Sequence, residues 1–159
     1  MTLVDLGAAP GGWSQYAAQR LGGHGRIVAV DLLPVDPIAG VAFIEGDFRD
    51  EGLVEEIRAR LGDKGLDLVL SDMAPNLSGN PAIDQPRAIH LAELASDLAL
   101  ELLRPGGNMV LKLFHGTGYD VFVRDCRAHF SKVVIHKPPA SRSRSREVYL
   151  VARGRRPAG

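Results

Sequence analysis

The chain of 159 residues contains a single cysteine, Cys126. That excludes an intramolecular disulfide framework and a cysteine-rich metal centre, so no metal is expected and a reducing, cytoplasmic setting fits best. Nothing approaches the roughly eighteen consecutive apolar residues of a membrane span, and no membrane association is expected. The first residues also lack a basic region followed by a cleavage site, so no signal peptide is read there. Net charge is absent as well: 19 Lys and Arg balance 19 Asp and Glu. The balance is uneven along the chain. Residues 1–131 carry 11 basic and 18 acidic residues, a net of −7. Residues 132–159 carry eight basic residues and one acid, Glu147, a net of +7. A basic end on a neutral chain can attract a polyanion, although a solvated basic surface explains the same count.

What is present is a regular alternation of short apolar runs with amphipathic segments. TLVDL, RIVAVD, VAFIEGD, LDLVLSD, NMVLKLF, KVVIHK and EVYLVAR read as seven strands. WSQYAAQRL, EGLVEEIRARL and YDVFVRDCRAHF read as helices, the first stopped by the glycines at 22 and 23. A longer helix carries Leu91, Leu94, Leu98 and Leu102 at helical spacing and ends at the turn Arg104-Pro-Gly-Gly. DMAPNLSGNPAIDQP is too rich in Pro, Gly and Asn to be regular structure. The pattern predicts an α/β fold with a mostly parallel seven-stranded sheet and helices on both faces, within one domain spanning 1–159. Ligands of such sheets sit at the carboxyl ends of the strands. The polar residues there are Asp5 to Gly12, Asp31, Asp47, Asp72 and Lys112.

Gly7-Ala-Ala-Pro-Gly-Gly12 follows the first strand directly. A phosphate loop needs GxxxxGK[ST], but Trp13 and Ser14 follow the glycines and no lysine is there. The dinucleotide fingerprint fails because Ala9 stands where the second glycine must let a pyrophosphate approach. Asp5 would also repel a diphosphate. S-adenosylmethionine has no phosphate and carries a sulfonium and an ammonium group, which suits a carboxylate beside a glycine turn. Asp31 is placed to accept from ribose hydroxyls, and Asp47 from an adenine amino group. A tight strand-to-helix connection would explain the glycines alone, and a nicotinamide oxidoreductase remains the remote alternative on the generic fold.

The acceptor can be narrowed too. Carbon-5 methylation of a pyrimidine needs a thiolate, whereas Cys126 lies in a helical pattern beside Phe122 and Phe130 and reads as a buried, inert thiol. Exocyclic amine methylation commonly uses an Asn/Asp-Pro-Pro-aromatic loop, and Asp72-Met-Ala-Pro-Asn76 lacks the aromatic. A ribose 2′-hydroxyl needs a base to take its proton. Lys112 lies inside the apolar strand VLKLF, where a lysine is costly without a partner or a task. Asp72 and Glu147, near the ends of neighbouring strands, could orient its amine; snorkelling of Lys112 with solvated acids is the structural alternative.

Taken in order, VDLGAAPGGWSQY, DLLPVDPI, GDFRD, SDMAPNLSG, GGNMVLKLF and SRSREVYLVA resemble the FtsJ/RrmJ ribosomal RNA methyltransferases, from Val4 to about Gly154. The resemblance implies a Rossmann-like fold using S-adenosylmethionine to methylate the ribose 2′-hydroxyl of a uridine in large-subunit (23S) ribosomal RNA. It carries cofactor contacts onto Gly11, Trp13, Asp31, Asp47 and Asp72, beside Asp5, Gly7 and Gly12 of the glycine turn. It carries the catalytic base onto Lys112, supported by Asp72 and Glu147 from a Lys-Asp-Lys-Glu tetrad. The tetrad's first lysine belongs to a helical segment upstream of the first strand. Only Met1, Thr2 and Leu3 stand there, so that role is assigned to no residue, and the family's N-terminal segment is expected to be lacking. A catalytically impaired fragment that binds cofactor and RNA is therefore the alternative. RNA contact is expected from Arg142, Arg144 and Arg146, which alternate with serines and can project together towards phosphates. Arg49 and Arg87 are weaker candidates. Few aromatics lie near the arginines, which argues against a base-stacking platform at that segment. The partner expected is ribosomal RNA or a ribosomal particle, and the chain is expected to be a monomer.

Overall fold

The apolar run at the start of the chain becomes an interior strand of a seven-stranded sheet, flanked by the strands at 26–31 and 66–71. A computed structural model describes residues 1–7, 12–22, 24–33, 36–48, 50–62, 65–73, 75, 78–137 and 146–157. In chain order these form β1 (Thr2–Leu6), α1 (Gly12–Leu21), β2 (Arg26–Asp31), β3 (Val41–Glu45), α2 (Gly52–Leu61) and β4 (Leu66–Ser71). They continue as α3 (Pro81–Leu102), β5 (Leu103–Phe114), α4 (Tyr119–His129), β6 (Phe130–His136) and β7 (Glu147–Arg155). The sheet order is β3-β2-β1-β4-β5-β7-β6. Every pairing is parallel except those of β7, which runs antiparallel to both β5 and β6. The predicted fold class therefore holds.

Alternation along the strands separates two faces. Val4, Leu6, Val28, Val30, Ile44, Val69, Met109, Leu111, Leu113, Leu150 and Ala152 point one way and pack into the main core. That core is closed by Leu53, Ile57 and Leu61 of α2, by α3, and by Phe122, Val123 and Cys126 of α4. The opposite face carries α1, whose Ser14 reaches Asp5 of β1. Helices thus lie on both faces, three against one. Fully burying each large aliphatic side chain contributes about 1.5–3 kcal/mol, so the three-helix face supplies most of the drive to fold.

Two boundaries and one buried face differ from the sequence reading. The segment through Pro86 was expected to be irregular, yet α3 begins at Pro81. Asn80 caps it by accepting from the Ala82 amide at 3.0 Å, and Pro81 takes the first helical position, where a missing amide costs nothing. Pro86 sits one turn in, and tertiary packing outweighs its lost hydrogen bond. The helix also buries Ala88, Ala92, Ala95, Leu98, Ala99 and Leu102, while Leu91 and Leu94 are only partly covered. Alanines on the inner stripe let α3 lie close to the sheet. Finally, the Arg104-Pro-Gly-Gly segment is not a separate turn. Leu103 already pairs with Leu66, and a register irregularity absorbs the glycines before regular pairing resumes at Leu68 and Asn108.

Among the described residues, no helix is long and apolar enough to cross a membrane. None of their His, Cys, Asp and Glu side chains gather in a group of three or more that could hold a metal ion.

Candidate active site

The register brings the predicted polar residues to one edge of the sheet. Leu6 pairs with Ser71, Ser71 with Leu111, and Phe114 with Glu147. The carboxyl ends of β1, β4 and β5 therefore line up with the amino end of antiparallel β7. Lys112 lies opposite Tyr149, and Glu147, two residues along β7, shares their face.

Lys112 makes the contacts that its burial requires. Its Nζ lies 3.0 Å from Asp72 Oδ1 and 3.8 Å from Glu147 Oε2. Its side chain is only 14% exposed, so most of the stem and head is covered by protein. Asp72 and Glu147 are more open, at 32% and 27%. The amine is thus held by carboxylates that come from the strands on either side of β5 and themselves reach solvent. Glu147 is anchored through its backbone, because Lys137 Nζ donates to its carbonyl at 3.1 Å.

Tyr149 completes this group, and the sequence reading did not single it out. Its hydroxyl donates to Asp72 Oδ1 at 2.9 Å, the same oxygen that Lys112 approaches. Burial raises its pKa well above the ordinary tyrosine value, and the bond to Asp72 adds to that rise, so the hydroxyl remains a donor. Its ring lies 5.7 Å from that of Trp13, tilted by 34°. The signal was available in the period-2 pattern: Glu147 and Tyr149 must share a face, so assigning one to the site implies the other.

At the glycine turn, Gly7 has φ +70°, and its amide donates to Val30 O at 2.9 Å. A Cβ there would stand 2.5 Å from Met73 Cγ, so position 7 has no room for a side chain. Asp5 is 1% exposed. Its Oδ2 accepts from Ser14 Oγ at 2.7 Å, in the first turn of α1, where a carboxylate also suits the helix dipole. Its Oδ1 is buried and has no hydrogen-bond partner among the described residues. Burial pushes the Asp5 carboxyl up to about 6; the Ser14 hydrogen bond opposes this and the nearby Asp72 carboxylate adds to it. A buried carboxylate in that condition fits a cationic ligand and would be a liability beside a phosphate.

Asp31 ends β2, and its Oδ1 accepts from the Leu33 amide at 3.0 Å. Asp47 lies two residues beyond the end of β3, where its carbonyl accepts from the Asp50 amide at 3.0 Å. It therefore stands in a loop and not on the strand. Gly12 opens α1. Arg146 is exposed, and its carbonyl accepts from the His115 amide at 2.9 Å, beside the lysine cluster. Gly11, Arg49, Arg142 and Arg144 lie outside the described residues. Arg87 is exposed on α3.

Cys126 is 2% exposed within the core, and burial pushes its thiol up to about 12. It offers no thiolate for a carbon-5 mechanism.

Two loops beside the lysine are fixed by neighbouring residues of α3. Asp84 accepts from the Ser78 amide at 2.9 Å, the Ser78 hydroxyl at 2.8 Å and the Gly79 amide at 3.1 Å. Gln85 Nε2 donates to the carbonyls of Phe114 and Thr117 at 3.0 and 3.1 Å. Both side chains are buried, which is unusual for such polar groups unless they are bonded. Both fell in the stretch expected to be irregular, which is why neither was anticipated.

The sequence profile of the FtsJ-like methyltransferases matches residues 1–155. Among solved structures, the chain is similar to a Plasmodium falciparum protein assigned as a ribosomal RNA methyltransferase, at 25% identity and a TM-score of 0.87. That match covers 97% of this chain and 86% of the other. An rRNA methylase assigned in Clostridium thermocellum shares the fold at 17% identity and a TM-score of 0.61, covering 96% of this chain and 88% of that one. A methyltransferase assigned in Streptococcus mutans, solved in complex with SAH, shares it at 14% identity and a TM-score of 0.56. There the coverage is 96% and 85%.

Proposed function

The chain belongs to the FtsJ-like methyltransferase family, and from that premise we propose that it transfers a methyl group from S-adenosylmethionine to the ribose 2′-hydroxyl of a uridine in large-subunit ribosomal RNA. The observation that carries this reading is the half-buried Lys112, held at 3.0 Å from Asp72 and 3.8 Å from Glu147. The ribosomal RNA assignment of the Plasmodium falciparum relative supports the substrate class.

S-adenosylmethionine would supply, when bound, an electrophilic methyl group on a positively charged sulfur. The residues of this chain suited to hold it are those of the first three strand ends. Gly7 and Gly12 place no side chain at either end of the turn, Asp31 and Asp47 offer acceptors for ribose and adenine, and Trp13 provides an apolar wall. Gly11 joins them by resemblance. Asp5, whose buried Oδ1 lacks a partner among the described residues, offers the compensating negative charge.

A ribose hydroxyl is a weak nucleophile, so its proton must leave as the oxygen–carbon bond forms. Lys112 Nζ receives that proton in its neutral form, while the carbon–sulfur bond breaks and the sulfur keeps the electron pair. The products are a 2′-O-methyl ribose, a neutral thioether and a lysine ammonium. Asp72 and Glu147 then hold that ammonium with two charge-assisted contacts, and Tyr149 keeps Asp72 turned towards it. Most of the remaining acceleration comes from presenting hydroxyl and methyl in line. Arg142, Arg144 and Arg146 position the RNA through its phosphates.

The test is product identity. Incubation with methyl-labelled S-adenosylmethionine and large-subunit particles, followed by digestion to nucleosides, should place the label in 2′-O-methyluridine. Label in a base-methylated nucleoside, or in protein, would overturn the reading.

A further inference from the structure

The turn after β5 carries a second aromatic pair that the proposed chemistry does not use. His115 and Tyr119 stack with ring centroids 4.3 Å apart and planes at 36°. His115 is exposed while Tyr119 is half-buried, so one ring backs the other. The turn beneath them is pinned. Gln85 Nε2 holds the carbonyls of Phe114 and Thr117, and the His115 amide is bonded to Arg146 O. Gly116 (φ +140°) presses so closely onto Gln85 that a Cβ would stand 2.8 Å from its Cδ. An exposed ring on a rigid, backed turn loses little freedom when something stacks on it.

Position narrows what that ligand can be. His115 is three residues beyond Lys112, about 10 Å between α-carbons along extended chain, a span that the two side chains and one nucleotide between them can cover. The proposed adenine and ribose acceptors lie at the ends of β2 and β3. The end of β2 is three strand spacings from β5, about 14 Å away. The cofactor's adenine therefore cannot also occupy His115. The other aromatic pair is engaged elsewhere: the Tyr149 hydroxyl is bonded to Asp72, and Trp13 is assigned above to the cofactor wall. The exposed Arg146, tethered to His115 through its backbone, brings a phosphate-seeking charge to the same spot.

We propose that the outer face of His115 is the stacking platform for the base of the acceptor nucleotide, splayed out so that its 2′-hydroxyl reaches Lys112. The inference rests on the ribose-methylating reading above. Single-stranded or unstacked nucleotides are commonly held by an aromatic face, and the stacking tolerates base identity. His115 is thus a binding residue for the base, Tyr119 its support, and Gln85 the residue that positions the turn.

The test compares two RNA substrates, one with the acceptor base intact and one with an abasic ribose at that position. Each is assayed with the wild-type chain, His115→Ala and His115→Phe. Removing the base should cost the wild type about tenfold in kcat/KM, from the usual worth of base–aromatic stacking. His115→Ala should lose a similar factor on the intact RNA, chiefly through KM, and then be nearly indifferent to base removal. His115→Phe should keep the wild-type response. Equal sensitivity of wild type and His115→Ala to base removal would overturn the platform. A wild-type chain that methylates no ribose would instead overturn the functional reading. The platform would then still be read by binding, through quenching of a fluorescent pyrimidine analogue by the wild type but not by His115→Ala. Equal quenching by both would refute it.

Discussion

Replacing Asp5 by Asn removes a charge that the fold holds against its preference. The carboxyl is 1% exposed, has one unpartnered oxygen among the described residues, and titrates near 6 in place of 3.8. Because the folded pKa is raised, the penalty is absent below about pH 3.8, where both states are protonated. It grows between 3.8 and 6 and is constant above 6. A gap of about two pH units corresponds to about 3 kcal/mol, an upper bound set by complete ionisation. Asn keeps an oxygen for Ser14 Oγ and forfeits only about 0.5 kcal/mol of favourable interaction with the start of α1. The ligand-free Asp5→Asn variant should therefore be more stable than wild type at pH 7.5 by about 2–3 kcal/mol. At about 2–4 °C per kcal/mol for a chain of this size, Tm should rise by about 5–10 °C. Calorimetric melting between pH 4 and 8 checks this, with the difference shrinking towards zero at the acid end. The same substitution should weaken S-adenosylmethionine binding in titration calorimetry. An Asn variant that melts below wild type at pH 7.5, or a difference independent of pH, would refute the reasoning.

Other substitutions probe the surrounding frame. Gly7→Ala forces a left-handed backbone and a clash with Met73, and it should cost about 1–2 kcal/mol in urea unfolding while reducing cofactor affinity. Gln85→Ala leaves the carbonyls of Phe114 and Thr117 without their donor, at a cost of about 2–3 kcal/mol in the same assay. Cys126, with its thiol pushed up to about 12, should resist iodoacetamide in the native state at pH 8 and react only on unfolding. Mass spectrometry of intact protein reads this directly. Arg146→Ala should reduce the salt dependence of RNA affinity by about one counterion while leaving S-adenosylmethionine affinity unchanged.

Strand periodicity made most of the fold legible. Apolar runs as short as RIVAVD are too short for buried helices and read as strands, and β1, β2 and α1 begin or end within a residue of expectation. What failed was local composition around Pro81 to Pro86. Proline and asparagine read as loop signals, yet the same residues start a helix when asparagine caps it and proline takes its first position. Asp84 and Gln85 were lost with that misreading. The lysine cluster was readable because a lysine inside an apolar strand demands partners, and the sheet order supplies Asp72 and Glu147 from the two flanking strands. Ser14's contact with Asp5 and the stacking of His115 on Tyr119 depend on how turns fold back on their neighbours. No spacing rule in the sequence encodes that.

The central claim is that Lys112 takes the ribose proton. The most direct measurement pairs two readouts on Lys112→Ala: methyl transfer to large-subunit ribosomal RNA, and calorimetric binding of S-adenosylmethionine. Transfer should fall at least about a hundredfold, the ordinary worth of a general base, while cofactor affinity stays within about threefold of wild type. A Lys112→Ala variant that methylates ribose at a rate near that of wild type would contradict the account.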